Sequence, residues 1–128
     1  MQKGFNTEII SPTKTLFKST LTEVIVPAFE GQMTIMENHI PFITFMRPGM
    51  IICSNENQNN FFVEDGIVEF SENKLLILTS TAMSIKDLET NQLSKLIDET
   101  QKKLSENLND KERYVFSHKL DVLKGISK

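Results

Sequence analysis

The sequence predicts an all-β N-terminal domain, an antiparallel sandwich or barrel, followed by a C-terminal α-helical hairpin. Three observations predict this order. Short apolar runs separated by turn-forming residues recur through the first 83 residues, which is typical of antiparallel β-domains. All four prolines lie at or before position 48, and no glycine lies between Gly66 and Gly125. Residues 84–128 instead repeat leucine and isoleucine at helical spacing. We therefore expect a β-domain over 1–83 and a two-helix hairpin over 84–128.

The β-domain is expected to begin with a strand at Phe5–Ile10, which has Phe5, Thr7 and Ile9 on one face. Ser11-Pro12 then forms a turn. The later strands are expected where an apolar run lies between turn residues: Lys14–Phe17, Leu21–Val26, Ile40–Met46, Met50–Cys53, Phe61–Val63, Ile67–Phe70 and Leu75–Thr79.

Proline and glycine shape the turns of this domain. Residues 24–49 contain Pro27, Gly31, Pro41, Pro48 and Gly49, so we expect short strands joined by tight turns there.

Three further turns follow. The asparagine-rich run 55–60 predicts an exposed hairpin loop. Asp65-Gly66 predicts a hairpin between the apolar runs on either side of it, and Ser71–Lys74 predicts another turn.

Helical signals begin at Ser84. Ser84 with Asp87 matches a capping box, and Asn109 with Glu112 matches the start of a second helix, which is expected to end near Gly125. The apolar stripe is thin, so we expect the hairpin to dock on another surface. Its members are Leu93, Leu96, Ile97, Leu104 and Leu108 in the first helix, and Val115, Phe116, Leu120, Val122 and Leu123 in the second.

Composition and charge limit the classes of function. A hydrophobic fraction of 39% with 24% charged residues is typical of a globular chain. The net charge of −3 does not favour binding to nucleic acid or to an anionic membrane. No apolar run has the length of a membrane span or of a signal peptide. With Cys53 as the only cysteine, a reducing compartment is expected, and we expect a soluble, cytoplasm-facing protein.

The motif search gives few candidates for chemistry. The sequence contains no phosphate-binding glycine loop and no zinc-spaced Cys/His cluster, so we expect no cofactor, no metal and no catalysis. His39, with Glu37 close by, is the most site-like residue. It is interpreted as a proton-transfer group, a metal ligand or a partner contact, or else as a side chain bonded to its own turn.

Other polar and reactive residues have structural interpretations. Glu64-Asp65 indicates either a cation site or turn chemistry, and Cys53 is expected to be a core thiol. The basic tail residues indicate either a solvated face or a docking surface for an acidic partner: Arg113, Lys119, Lys124 and Lys128.

Three segments together resemble the epsilon subunit of F-type ATP synthase, which is called delta in mitochondria. Residues 30–41, EGQMTIMENHIP, with RPG at 47–49, are similar to the family's G-E-x-G-I-L-P-x-H-x-P and its downstream P-G. Residues 61–70, FFVEDGIVEF, resemble its V-x-G-G-x-x-E-V segment. Residues 75–82, LLILTSTA, resemble its next strand, and a charged helical hairpin follows.

The resemblance implies a flattened ten-stranded antiparallel β-sandwich in a non-catalytic rotor subunit. It implies coupling of the gamma subunit to the membrane c-ring for proton-driven ATP synthesis, on the cytoplasmic face of the bacterial inner membrane. Membrane contact would occur only through the complex. The c-ring-facing residues would be Glu30, Gly31 and Gln32, and the gamma-facing residues would be Ser11 and His39.

The resemblance also implies a regulatory role for the hairpin, because in many bacterial members it rises along gamma into the alpha/beta catalytic head and blocks ATP hydrolysis. Arg113, Lys119 and Lys124 are the implied inhibitory contacts. Some members bind ATP through I/L-D-x-x-R-A, whereas residues 85–90 read IKDLET, so no nucleotide site is expected.

The sequence also departs from the family pattern at Thr34, Glu37, Asn38 and Asp65. Asn38 replaces a common glycine and is the residue expected to take a positive φ. The alternative function is a free-standing β-sandwich binding module or a small metal-dependent enzyme centred on Glu37 and His39.

Overall fold

The chain forms ten strands and two helices, seen here in a computed structural model that describes residues 4–54, 59–85 and 90–126. Its contacts divide it into two compact units, with the division after Ile85. The strands of the first unit are β1 Phe5–Ile10, β2 Thr15–Leu21, β3 Glu23–Ala28, β4 Gly31–Met36, β5 Phe42–Met46, β6 Gly49–Cys53, β7 Asn60–Val63, β8 Gly66–Ser71, β9 Lys74–Leu78 and β10 Met83–Ser84.

The strands form two five-stranded halves that meet at β3. One half has the order β10-β7-β6-β3-β4, and the other has the order β5-β8-β9-β1-β2. β3 pairs with β6 through Val24 and Ile25, and with β5 only at Ala28. Adjacent strands are antiparallel except for β1 and β9, which are parallel. Side chains from both halves share one core, so the predicted β-sandwich is confirmed.

Alternation along the strands selects the core side chains. In β1, Phe5, Thr7 and Ile9, which are predicted to share one face, are all buried. The Phe5 ring packs edge-to-face on Phe70 at a centroid distance of 5.5 Å, a preferred aromatic geometry. The Cys53 thiol is buried in this core, and burial raises its pKa to about 12, because desolvation disfavours the thiolate. The prediction of a core thiol is confirmed.

The turns form where their residue types predict them, but the strands on either side of one turn do not pair with each other. Glu72 and Asn73 both have positive φ, 49° and 59°, and join β8 to β9 in a two-residue turn of type I′. The hairpin predicted at Asp65-Gly66 is wrong. β7 pairs with β6 and β10, while β8 pairs with β5 and β9. This turn therefore carries the chain from one half of the sandwich to the other.

Gly66 has a packing role that explains why a glycine follows Asp65. Its φ is +146°, and a Cβ at this position would lie 2.6 Å from the carbonyl oxygen of Leu78. The Thr79 hydroxyl donates to the carbonyl oxygen of Asp65 at 2.8 Å. Glycine is therefore required by the crossing of the chain over β9.

The second unit contains α1 Thr90–Leu104 and α2 Asp110–Ile126, which pack on each other across the connection 105–109. The Asn109 side-chain oxygen accepts from the Glu112 amide at 2.8 Å, so the predicted cap is confirmed. α2 extends to Ile126, one residue beyond Gly125, so the helix end predicted near Gly125 is confirmed.

The capping box predicted at Ser84 is also wrong, because Ser84 lies in β10 and pairs with Phe61 of β7. Its second member, Asp87, lies outside the described residues.

Candidate functional site

A row of apolar side chains crosses the solvent-facing side of the β5-β8-β9-β1 sheet. The strand register places Phe45 opposite Ile67, Ile67 opposite Leu78, and Leu78 opposite Ile10. Phe45 is 65% exposed and Leu78 is 42% exposed, while Ile67 and Ile10 are half-buried. Consecutive cross-strand neighbours on one face form a continuous surface.

Two more aromatic or aliphatic side chains extend the row. The Phe29 amide donates to the Phe45 carbonyl oxygen at 2.8 Å, which brings Phe29 beside Phe45 at the edge of the sheet. Ile43 lies two residues before Phe45 on the same face of β5 and is 69% exposed. We name the set Phe29, Ile43, Phe45, Ile67, Leu78 and Ile10 the outer apolar face. An exposed, contiguous apolar surface of this kind marks an interaction site.

Ser11 borders the outer apolar face. It lies with Pro12, Phe45 and Leu78 around a shallow depression of about 710 Å³. Its amide donates to the Lys14 carbonyl oxygen at 2.9 Å, and its hydroxyl accepts from the Lys14 amide at 3.2 Å. These bonds fix the turn after β1, so Ser11 is held at the rim of the depression.

His39 lies at the opposite end of the same sheet. Its Nδ1 donates to the carbonyl oxygen of Ile40 at 2.8 Å, because a carbonyl can only accept. Its ring packs edge-to-face on Phe42, at 5.2 Å, and on Phe70, at 5.9 Å. The interpretation of a side chain bonded to its own turn is thus supported. Among the described residues, no three His, Cys, Asp or Glu side chains group as a metal site would require.

The turn before His39 depends on Asn38. Its φ is +64°, so the prediction that this residue takes a positive φ is confirmed. Asparagine tolerates this conformation better than most residues, which explains how the turn forms without glycine.

Glu30, Gly31 and Gln32 lie at the tip of the β3–β4 hairpin. Ala28 pairs with Gly31, so Phe29 and Glu30 form the two-residue turn. Glu30 and Gln32 are exposed, and a Cβ at Gly31 would meet nothing within 4 Å. The tip is polar except for Phe29, which belongs to the outer apolar face.

The three basic residues of α2 differ in their surroundings. The Arg113 guanidinium donates to the carbonyl oxygens of Leu104, at 3.1 Å, and Glu106, at 3.4 Å. It therefore caps the end of α1, where carbonyl groups lack helical partners. Lys119 lines a depression between the helices with Phe116, and Lys124 is exposed in the last turn of α2.

The backbones of Glu64 and Asp65 make turn contacts. The Glu64 amide donates to the Thr81 hydroxyl at 3.0 Å, and the Asp65 carbonyl accepts from Thr79. These bonds support the interpretation of turn chemistry.

Sequence reasoning missed the outer apolar face. The signal was the run Ile40–Met46, which is apolar on both faces of a strand in an antiparallel sheet. Such sheets usually alternate apolar and polar residues when one face meets water. An apolar second face therefore indicates a covered surface.

The fold and this surface define a class of protein: a β-sandwich with an exposed apolar face, the kind of surface through which proteins bind partners, and a helical pair. No helix among the described residues is long and apolar enough to cross a membrane. The family model described as "ATP synthase, Delta/Epsilon chain, beta-sandwich domain" matches residues 4–85. The chain belongs to the ATP synthase delta/epsilon chain family, and it is a non-catalytic subunit.

Relatives and solved structures agree with this assignment. The ATP synthase epsilon chain of Pelagibacter ubique is 42% identical, over 99% of this chain and 100% of the relative. That of Sinorhizobium medicae is 33% identical, over 77% and 75%. A chain of the Tetrahymena thermophila mitochondrial ATP synthase central stalk and c-ring structure has a TM-score of 0.72 at 12% identity, covering 99% of this chain and 100% of that one. A chain of the Euglena gracilis enzyme has a TM-score of 0.74 at 15% identity, covering 97% and 79%.

Proposed function

We propose that this chain is the rotor subunit that joins gamma to the c-ring, and that it docks on gamma through the outer apolar face. The main observation in support is the continuous apolar row from Phe29 to Ile10, which is exposed to solvent in the isolated chain. Burial of such a surface contributes roughly 25 cal/mol for each Å² of apolar area removed from water. The Tetrahymena structure of central stalk and c-ring supports this assignment, because its chain shares the fold.

Ser11 and His39 bound the gamma-facing sheet in this proposal. Ser11 borders the depression at one end, and the His39 turn lies at the other end beside Phe42. Both side chains are partly accessible, so both can contact a partner that covers the sheet between them. The two residues are rim contacts in this arrangement, and the apolar side chains between them supply most of the binding energy.

Glu30, Gly31 and Gln32 face the c-ring in this proposal. Their support is the exposed polar tip of the β3–β4 hairpin, which adjoins the outer apolar face through Phe29. Polar rims around an apolar centre are the usual anatomy of an interface. Lysine substitutions at Glu30 and Gln32 should reduce proton-driven ATP synthesis while gamma binding persists. Unchanged synthesis would remove these residues from the c-ring contact.

The docking surface can be tested by co-purification. Phe45→Asp should lower the recovery of gamma at least about tenfold, because a fully buried Phe contributes about 1.5–3 kcal/mol and the carboxylate adds a desolvation cost. Thr34→Asp is the matched control, because Thr34 is an exposed strand residue in the other half of the sandwich. Equal recovery of gamma by the two variants would contradict the proposal.

The hairpin is the inhibitory part in this proposal, with Arg113, Lys119 and Lys124 as contacts to the alpha/beta head. Arg113 would have to leave the carbonyl groups at the end of α1 to make such a contact. Deletion of residues 86–128 should raise ATP hydrolysis by the assembled complex. Unchanged hydrolysis would remove the inhibitory role and leave the stalk role intact.

The location follows from the assembly. We place the chain on the cytoplasmic face of the bacterial inner membrane, held there only through the other subunits. It should sediment with membranes that contain the complex and be released when the catalytic head is stripped off. Sedimentation with membranes that lack gamma would contradict this placement.

A further inference from the structure

Asn73 connects three separate parts of the sandwich through hydrogen bonds. Its side-chain oxygen accepts from the Asn38 amide at 2.9 Å, and its side-chain nitrogen donates to the Gly4 carbonyl oxygen at 3.4 Å. Its own carbonyl accepts from the Asn6 amide at 3.3 Å. The bond to Asn38 spans 35 positions of the sequence. The β8–β9 turn is thereby tied both to the first strand and to the turn that precedes His39.

The turn that precedes His39 is a type II β-turn. The His39 amide donates to the Met36 carbonyl oxygen at 3.1 Å, which closes a four-residue β-turn. Only Asn38 among its residues has a positive φ, and this defines a turn of type II. Types I and II differ by a rotation of the central peptide, here the one between Glu37 and Asn38. The Asn38 amide belongs to that peptide, so the Asn73 side chain bonds to the group whose direction distinguishes the two forms.

We propose that Asn73 is a positioning residue that selects the type II form and thereby sets the direction of His39 at the gamma-facing edge. Without the acceptor, the Glu37–Asn38 peptide is free to rotate, because Asn38 can also adopt the negative φ of type I. One hydrogen bond of ordinary net strength corresponds to roughly a two- to tenfold shift in the ratio of the two forms. The part of this inference that concerns gamma rests on the function proposed above.

The contacts of His39 explain why the form of the turn matters. The ring is fixed by the Ile40 carbonyl oxygen on one side and by Phe42 and Phe70 on the other. Rotation of the Glu37–Asn38 peptide moves the backbone that leads into His39, so the ring cannot keep all three contacts. A preformed rim then becomes a mixture of forms, and gamma binds only the fraction with the correct geometry.

Asn73→Gly is the informative variant. Glycine adopts the positive φ of position 73 readily, so the β8–β9 turn keeps its backbone and only the side-chain bonds are lost. Asn73→Asp is the rescue variant, because its carboxylate still accepts from the Asn38 amide. Glu72→Gly is the matched control, because it alters the same turn and leaves Asn73 in place.

The first readout is NMR of the full-length isolated chain. In a type II turn the Glu37 α-hydrogen lies close to the Asn38 amide hydrogen. In a type I turn the amide hydrogens of Glu37 and Asn38 lie close to each other instead. Asn73→Gly should weaken the first nuclear Overhauser effect, strengthen the second and speed exchange of the Asn38 amide roughly two- to tenfold. Asn73→Asp and Glu72→Gly should keep the wild-type pattern. A wild-type pattern in Asn73→Gly would overturn the positioning role.

The second readout is affinity for the gamma-containing catalytic head that lacks this chain. Asn73→Gly should weaken binding by at most the same two- to tenfold, and Asn73→Asp should restore it. A changed turn with unchanged affinity would overturn the link to gamma. Failure of the wild-type chain itself to bind would overturn the proposed function, while the NMR result would still decide the role of Asn73.

Discussion

Gly66 and Gly31 offer a direct test of how close packing constrains this sandwich. Both glycines have nearly the same unusual backbone conformation, with φ of +146° and +141°. Their surroundings differ. A Cβ at Gly66 would lie 2.6 Å from the Leu78 carbonyl oxygen and 2.6 Å from the end of the Met46 side chain, whereas a Cβ at Gly31 would meet nothing within 4 Å. Alanine at the two positions therefore shares the backbone strain and differs in the steric overlap.

The expected magnitudes follow from these two contributions. Gly31→Ala should lower the free energy of unfolding by about 1–3 kcal/mol, the usual cost of such a conformation for a residue with a side chain. Gly66→Ala should cost a further 1–3 kcal/mol or so, the range for overpacking, because the Leu78 oxygen is part of β9 and cannot move without disturbing its pairing. Movement of the flexible Met46 side chain would remove only part of the overlap, because the Leu78 carbonyl oxygen lies equally close to the added Cβ.

Urea unfolding of the full chain measures both values, with the fraction folded followed through amide signals of the core residues Ile9 and Ile77. Both residues lie in strands of the first unit, so their signals report on the sandwich. The reasoning is refuted if the two alanine variants lose the same free energy, or if Gly31→Ala loses more.

Three further predictions concern the core and the helices. Burial raises the Cys53 pKa from 9.0 to about 12. The free energy of unfolding should therefore fall as the pH rises from 9 toward 12, because the unfolded chain loses this proton first. Cys53→Ala should flatten that dependence in urea titrations. Asn109→Ala should destabilise the helical unit by about 1 kcal/mol through loss of the cap to Glu112, seen as reduced helicity by circular dichroism; Asn109→Asp should retain it. Arg113→Ala should speed amide exchange in the connection 105–109 by roughly two- to tenfold for each bond lost, since each bond contributes about 0.5–1.5 kcal/mol, and Arg113→Lys should rescue only part of this.

Local signals explain the parts of the fold that the sequence predicted. The alternation in β1 and the Asn109 cap depend on residues within a few positions of each other. The positive φ at Asn38 was also expected, because few residues accept it.

Long-range pairing explains the parts that it did not. Asp65-Gly66 marks a turn correctly, yet a turn does not determine which strands pair on either side of it. Ser84 is predicted to start a helix because its spacing to Asp87 matches a capping box, whereas its strand partner Phe61 lies far back in the sequence.

The candidate site divides in the same way. The family resemblance points to Ser11 and His39, which lie at opposite ends of one sheet. The apolar side chains between them were not predicted, since Phe45, Ile67, Leu78 and Ile10 become neighbours only through three strand pairings. The role of Asn73 was equally hidden, because its acceptor meets an amide 35 positions away.

The parallel pairing of β1 with β9 has a consequence for how the chain is made. β1 leaves the ribosome before the other described strands, and one of its two neighbours is β9, with Asn6 opposite Lys74. Until that segment emerges, the inner edge of β1 has no partner, and closing so long a loop is entropically costly. Topologies of this kind fold slowly. The nascent sandwich therefore closes only when most of its residues have been translated. Between the synthesis of β1 and that of β9, an unpaired strand edge is available for a chaperone to bind.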